Sequence, residues 1–238
     1  MNNIYKVFKF QIHDFWKAVL IFYFIIILIT SALTVTISVN AEKISFGGLE
    51  MATVIFLFIA GLNCFKSNFK FMLANNVSRK GFYIGNLIAL VTVSAFMALA
   101  DAILNVILDN VLVSNVPYES VVMQLYGNDS FFAGFLWCFA LNTLAVCFGW
   151  FVTMLYYRCS SIMKIVVSFL PILALTLFLY IDEISGGLVG RAVVDFLNKS
   201  MGFAYNNNVY IGALSIIIGS VVIALICFLP LRNAIAKD

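Results

Sequence analysis

Charge is what this sequence has least of. Only 11% of its 238 residues are charged and 63% are hydrophobic, whereas a soluble domain carries about 25% charged residues. That shortage excludes a soluble globular fold. A single histidine, His13, is present, which excludes an H-E-x-x-H metal site and a buried Ser-His pair. There is no G-x-x-x-x-G-K-[ST] loop, and the run beginning at Gly186 (GGLVGR) lacks both its spacing and its lysine, so nucleotide phosphates have no ordinary cradle here. The five cysteines, Cys64, Cys138, Cys147, Cys159 and Cys227, lie within or beside apolar runs, where cysteine acts as a small packing residue. Of three prolines, only Pro171 falls in the middle of an apolar run, where its missing N–H is expected to kink a helix. Acids are wholly absent from Met51 to Ala100.

Long apolar runs fill the chain instead. Six are read: Ala18–Val39, Leu49–Phe65, Phe82–Leu108, Phe131–Tyr157, Ile162–Ile181 and Val209–Leu229. Spanning takes roughly 20 mostly apolar residues, and open sheet edges are not tolerated in lipid, so the runs mean helices. The expected fold is an all-α membrane protein, a six-transmembrane-helix bundle forming one domain over residues 1–238. The first run follows no small-residue cleavage site and is expected to be retained. Placing the N-terminus in the cytoplasm puts Lys6, Lys9, Lys17, Lys66, Lys70, Arg79, Lys80, Arg158, Lys164, Arg232 and Lys237 inside. Only Lys43, Arg191 and Lys199 are then outside. The positive-inside rule favours that orientation, with both termini cytoplasmic in a cell membrane.

Short elements are legible between the runs. Over residues 1–17, Ile4, Val7, Phe8, Ile12 and Phe15 recur at helical spacing with Lys6, Lys9, His13 and Lys17 on another face, which predicts an amphipathic interfacial helix ending at Trp16. The outer connection 182–208 predicts a short helix through Leu188, Ala192, Val193, Phe196 and Leu197. The other outer connection, Asp109–Ser130, reads as a loop with room for short helices.

Polar groups inside the runs are few. Asp101 is the one ionisable residue well within a span, with Asn105 and Asp109 at i+4 and i+8 on its face. Its depth, about 28 Å along a helix from Phe82, suits a polar stripe at the outer mouth or at a helix contact. Asn63, Asn86, Asn142 and Thr143 read as hydrogen-bonding groups between helices, and Gly81, Gly85, Ala89 and Gly212, Ser215, Gly219 as small-residue rows for close approach.

The segment between the second and third runs carries Lys66, Lys70, Arg79 and Lys80 beside an apolar face of Phe69, Met72 and Leu73. Asn76 there suits a left-handed, helix-ending position. Six spans, an amphipathic lead-in, this basic segment and an outer helical element together resemble the permease subunits of ATP-binding-cassette transporters of type-2 exporter architecture. The stretch Ala74–Ile88 (ANNVSRKGFYIGNLI) is similar to the N-G-[IV]-S-R-K-x-x-[FY] pattern of small bacterial permeases of that group, with Asn76 in place of the usual Gly. The resemblance implies that residues 66–80 form a cytoplasmic coupling segment. Phe69, Lys70, Met72, Leu73, Asn75, Asn76, Ser78, Arg79 and Lys80 would then meet a partner ATPase. It also implies a second permease subunit, ATP and Mg on the partner rather than on this chain, no enzymatic activity here, contact with membrane lipid, and no nucleic acid. Cargo would be an amphiphile such as a peptide, lipid or drug. A different class, a membrane binding module for substrate capture, immunity or sensing, stays open on sequence alone.

Overall fold

The computed structural model describes residues 3–40, 46–111 and 118–232. Among them, helix α1 (Asn3–Asn40) leads by a two-residue strand β1 (Phe46–Gly47) to α2 (Leu49–Asn63) and α3 (Lys66–Ala74). Then follow α4 (Arg79–Val111), strand β2 (Tyr118–Glu119), α5 (Val121–Tyr126), α6 (Phe131–Arg158), α7 (Ser161–Ile184), α8 (Leu188–Ser200) and α9 (Val209–Arg232). The chain is a multi-pass α-helical membrane protein.

Among the described residues, five helices are long and apolar enough to cross a bilayer: Asn3–Leu33, Arg79–Asn110, Phe131–Arg158, Ile162–Ile184 and Val209–Leu229. The expected second span is different in kind. Helix α2 has 15 residues, about 22 Å of rise against a core about 30 Å thick, and reaches a sixth crossing only together with α3, from which it is bent by 42°. The expected interfacial helix over residues 1–17 is not a separate element either. Asn3 to Asn40 is one continuous helix of 38 residues, because no glycine or proline interrupts it. The Val7, Gln11, Phe15 and Val19 stripe of that helix is buried on the bundle, while Trp16 and Lys17 are exposed.

Helix α6 is the centre of the packing, touching α2, α4 and α9, and α1 lies along α4. Two glycines set the closest approach. A Cβ on Gly149 would stand 2.2 Å from the Phe58 carbonyl oxygen, and one on Gly61 would stand 2.4 Å from that of Val146. Backbones therefore meet without side chains between them, and dispersion contacts, the main attraction available between helices in lipid, are gained along the seam. The Gly81–Gly85 row is spent in the same way within the chain. A Cβ on Gly85 would lie 2.7 Å from the Ile4 carbonyl oxygen, so this row seats α1 on α4.

Helix α7 behaves differently from the rest. Its apolar side chains, Ile165, Phe169, Leu173 and Leu177 among them, are exposed. It continues through Pro171, whose missing N–H leaves the Val167 carbonyl without its helical donor. Helix α8 forms where its pattern predicts, after Gly186 and Gly187, both at positive φ. The Asp182 carboxylate ties down its start by accepting from the Gly190 N–H at 2.7 Å.

Candidate functional site

Contacts collect the cations at one end of the bundle. Phe65, Phe69, Phe82 and Tyr157 form one aromatic cluster, with ring centroids 5.0 Å apart for Phe65–Phe69 and 5.3 Å for Phe69–Phe82. The Tyr83 hydroxyl donates to the Ala224 carbonyl at 2.6 Å, and Gly81 lies beside Asn3. The start of α1, all of α3, the start of α4 and the ends of α6 and α9 thus share an end, and Lys6, Lys66, Lys70, Arg79, Lys80 and Arg158 lie on those segments.

Within it, α3 is fixed at both ends. It closes on Asn75 and on Asn76 at φ 58. The Asn76 N–H donates to the Leu73 carbonyl at 3.0 Å and the Val77 N–H to that of Met72 at 3.1 Å, which is the Schellman pattern, with buried Val77 and Met72 as its apolar pair. Ser78 then caps α4, its hydroxyl accepting from the Gly81 N–H at 3.1 Å. Arg79 and Lys80 open that helix, where the helix dipole favours anions.

The apolar face of α3 does not point outward as expected. Phe69 is fully buried and Met72 nearly so, because Phe65, Phe69 and Met72 repeat at i, i+4 and i+7 and continue onto Phe82 and Tyr157. Leu73 is half-buried against the same core. Asn68 is buried as well, donating to the Gln11 side-chain oxygen at 2.9 Å, while Gln11 donates to the Cys64 carbonyl at 3.3 Å and to the Asn86 side chain. What remains outside is Lys66, Phe71, Asn75, Asn76, Ser78, Arg79 and Lys80, with Lys70 half-buried. Phe71 stacks on Phe10 of α1 at 5.2 Å.

A second constellation lies toward the other end, where α2 faces α4. Glu50, in the first turn of α2, is 1% exposed, and Asp101 of α4 is 5% exposed. Glu50 Oε1 accepts from Asn105 Nδ2 at 2.7 Å and from the Val121 N–H at 3.3 Å. One turn along each helix, Asp101 Oδ1 accepts from the Thr53 hydroxyl at 3.0 Å and from the Tyr23 hydroxyl at 2.9 Å. The Tyr118 hydroxyl donates to Asn105 Oδ1. Strand β1 pairs in parallel with β2, Phe46 opposite Tyr118, and so holds the start of α2 beneath Tyr118. Burial, and after it the charge of Glu50, raise the Tyr118 phenol far above its ordinary range, so it remains a donor.

Asp101 and Asn105 were expected as a stripe at the outer mouth or at a helix contact; the structure makes them a helix contact, half of a two-helix ladder. Glu50, Thr53, Tyr23 and Tyr118 were missed. Glu50 sits at the edge of its apolar run and reads as loop, and only its i, i+3 spacing to Thr53 hints at a shared face. Outside the ladder, a cavity of about 160 Å³ is lined by Asn105, Asp109, Tyr118, Asn128, Asp129 and Ser130 among others. An apolar groove of about 450 Å³ runs between α2 and α6, lined by Val54, Ile55, Phe58, Leu141, Leu144 and Phe148 with Ile223 of α9. Among the described residues, no group of three or more His, Cys, Asp or Glu is placed to hold a metal ion.

No protein-family model, curated protein or solved structure matches the chain.

Proposed function

We propose that this chain is the membrane subunit of an ATP-driven exporter, docking a separate ATPase at its basic end and moving an amphiphilic substrate outward. The observation that carries the reading is the way α3 is built. A segment that passes force from a partner into a membrane bundle must be rigid toward the bundle and open toward the partner. Helix α3 has Phe69, Met72 and Asn68 locked into the core and Phe71, Lys66 and Asn75 outside. Push on its outer face would reach α1 through Asn68–Gln11, α4 through Phe69–Phe82 and α6 through Phe69–Tyr157.

The docking surface is therefore the exposed face, Lys70, Phe71, Asn75, Asn76, Ser78, Arg79 and Lys80, while Phe69, Met72 and Leu73 transmit rather than touch. An exposed aromatic residue on a face that also carries lysine and arginine has the composition of an interface anchor with a polar rim. The exposed α7 supports a second permease subunit packing along it, and the apolar groove between α2 and α6 supports a substrate that enters from lipid.

The test is co-expression with an ATPase encoded beside its gene. Phe71→Ala and Lys80→Glu should each cut ATPase recovery on the purified chain at least tenfold while changing the thermal midpoint little. Unchanged recovery in both variants sinks the proposal.

A further inference from the structure

Among the described residues, the two carboxylates in the ladder have no cation to balance them. Every group bonded to Glu50 or Asp101 is neutral: Asn105 and the Val121 N–H on the first, Thr53 and Tyr23 on the second. Glu50 Oε2 is buried and receives no donor; Asp101 Oδ2 is buried too, and the one further donor turned toward Asp101 is the neutral amide of buried Asn142 on α6, which makes no close hydrogen bond. The other ionisable groups that face the pair are Tyr23 from α1, Tyr118 from β2 and Cys138 from α6, with Asp109 of α4 and Asp129 on the neighbouring cavity. Among the described residues, none of them is basic. Burying one ionised carboxylate without a partner is costly, and two ionised one helical turn apart would also repel.

The hydrogen-bond count points to the remedy. The Tyr23 hydroxyl lies 2.9 Å from two acceptors, Asp101 Oδ1 and the Met97 carbonyl oxygen. It has one proton. A proton on Asp101 supplies the missing donor, the carboxyl giving to Tyr23 and Tyr23 giving to Met97. The 160 Å³ cavity lies one residue away from the pair: Asn105, which bonds Glu50, and Tyr118, which bonds Asn105, line it together with Asp109 and Asp129.

We propose that Glu50 and Asp101 form a proton-binding site, set behind the acidic cavity that Asn105 and Tyr118 line, which latches α1, α2, α4 and the β1–β2 clasp together when protonated. The step is simple uptake: one proton enters, one carboxylate becomes a carboxylic acid, and no bond between heavy atoms changes. Deprotonation leaves adjacent negative charges between α2 and α4 and loosens the outer mouth. The site does not depend on the ATPase reading, and a failure of either leaves the other standing.

Infrared spectroscopy of the full chain in lipid nanodiscs tests this at pH 7 in potassium buffer. The wild-type protein should show the carbonyl stretch of a buried protonated carboxyl, shifted by deuterium exchange, and the Glu50→Gln/Asp101→Asn double variant should lose it. If the double variant does not fold, the single Asp101→Asn variant serves in its place. A folded state that holds one proton which the unfolded state releases also loses about tenfold in its folded-to-unfolded ratio per pH unit on raising the pH, and the amide variant should flatten that slope. No carboxyl band in the wild type, a band untouched by the substitutions, or a band removed by sodium at constant pH would each overturn the proposal, the last by making a metal ion the occupant.

Discussion

Replacing Phe69 by alanine separates the two roles that the basic segment could give its apolar residues. The ring is fully buried, stacked on Phe65 at 5.0 Å and edge-on to Phe82 at 5.3 Å and Tyr157 at 6.1 Å. Truncating a buried Phe costs about 3–5 kcal/mol, and each aromatic pair adds roughly 0.5–1.5 kcal/mol beyond its area. Collapse of the neighbouring rings into the space offsets some of this. A loss of about 3 kcal/mol is expected, about 150-fold in the folded-to-unfolded ratio. Reversible unfolding in mixed detergent micelles, followed by Trp fluorescence, reads it. Phe71→Ala, on the opposite side of the helix, should cost about 1 kcal/mol or less, since its exposed ring loses only the stack on Phe10. The reasoning is refuted if Phe69→Ala unfolds like the wild type while Phe71→Ala does not, since the face that packs on the bundle would then be the wrong one.

Other outcomes follow from the same packing. Gly149→Ala should destabilise by roughly 1–3 kcal/mol in the same unfolding assay, because its Cβ would meet the Phe58 carbonyl oxygen at 2.2 Å and push α2 from α6. Asn76→Val should cost about 1–2 kcal/mol, since a β-branched residue is strained at φ 58, and Asn76→Gly should be neutral or better. Asn105→Leu removes a donor to Glu50 and an acceptor for Tyr118. It should lower stability by roughly 1–3 kcal/mol, and Tyr118→Phe in that background should recover part of the loss.

Much of the architecture is written in hydropathy. Spans are long, and lipid tolerates only helices, so the apolar runs at Phe82, Phe131, Ile162 and Val209 mark α4, α6, α7 and α9 within a few residues. Asn76 and the Leu188–Leu197 stripe were legible because backbone sterics and helical period act locally. What failed were statements about which neighbour a face meets. Amphipathicity shows that Phe69 and Met72 share a side of α3, but own core and foreign partner bury them equally well. The start of α1 has interfacial chemistry, yet with no breaker before Asn40 it stays one helix and docks on Gly85 instead. Glu50 lies 51 residues from Asp101 in the chain, and nothing local says that β1 and β2 will pair to bring the two acids under one roof.

The most direct test of the docking claim is site-specific photocrosslinking in intact membranes with the co-expressed ATPase. A crosslinking amino acid at Phe71 should capture the ATPase subunit, while the same group at Phe69 or at Phe196 on α8 should not. Capture from position 69 with none from position 71, or capture from the α8 position, would contradict the assignment of the exposed face of α3 as the surface through which this membrane protein is driven.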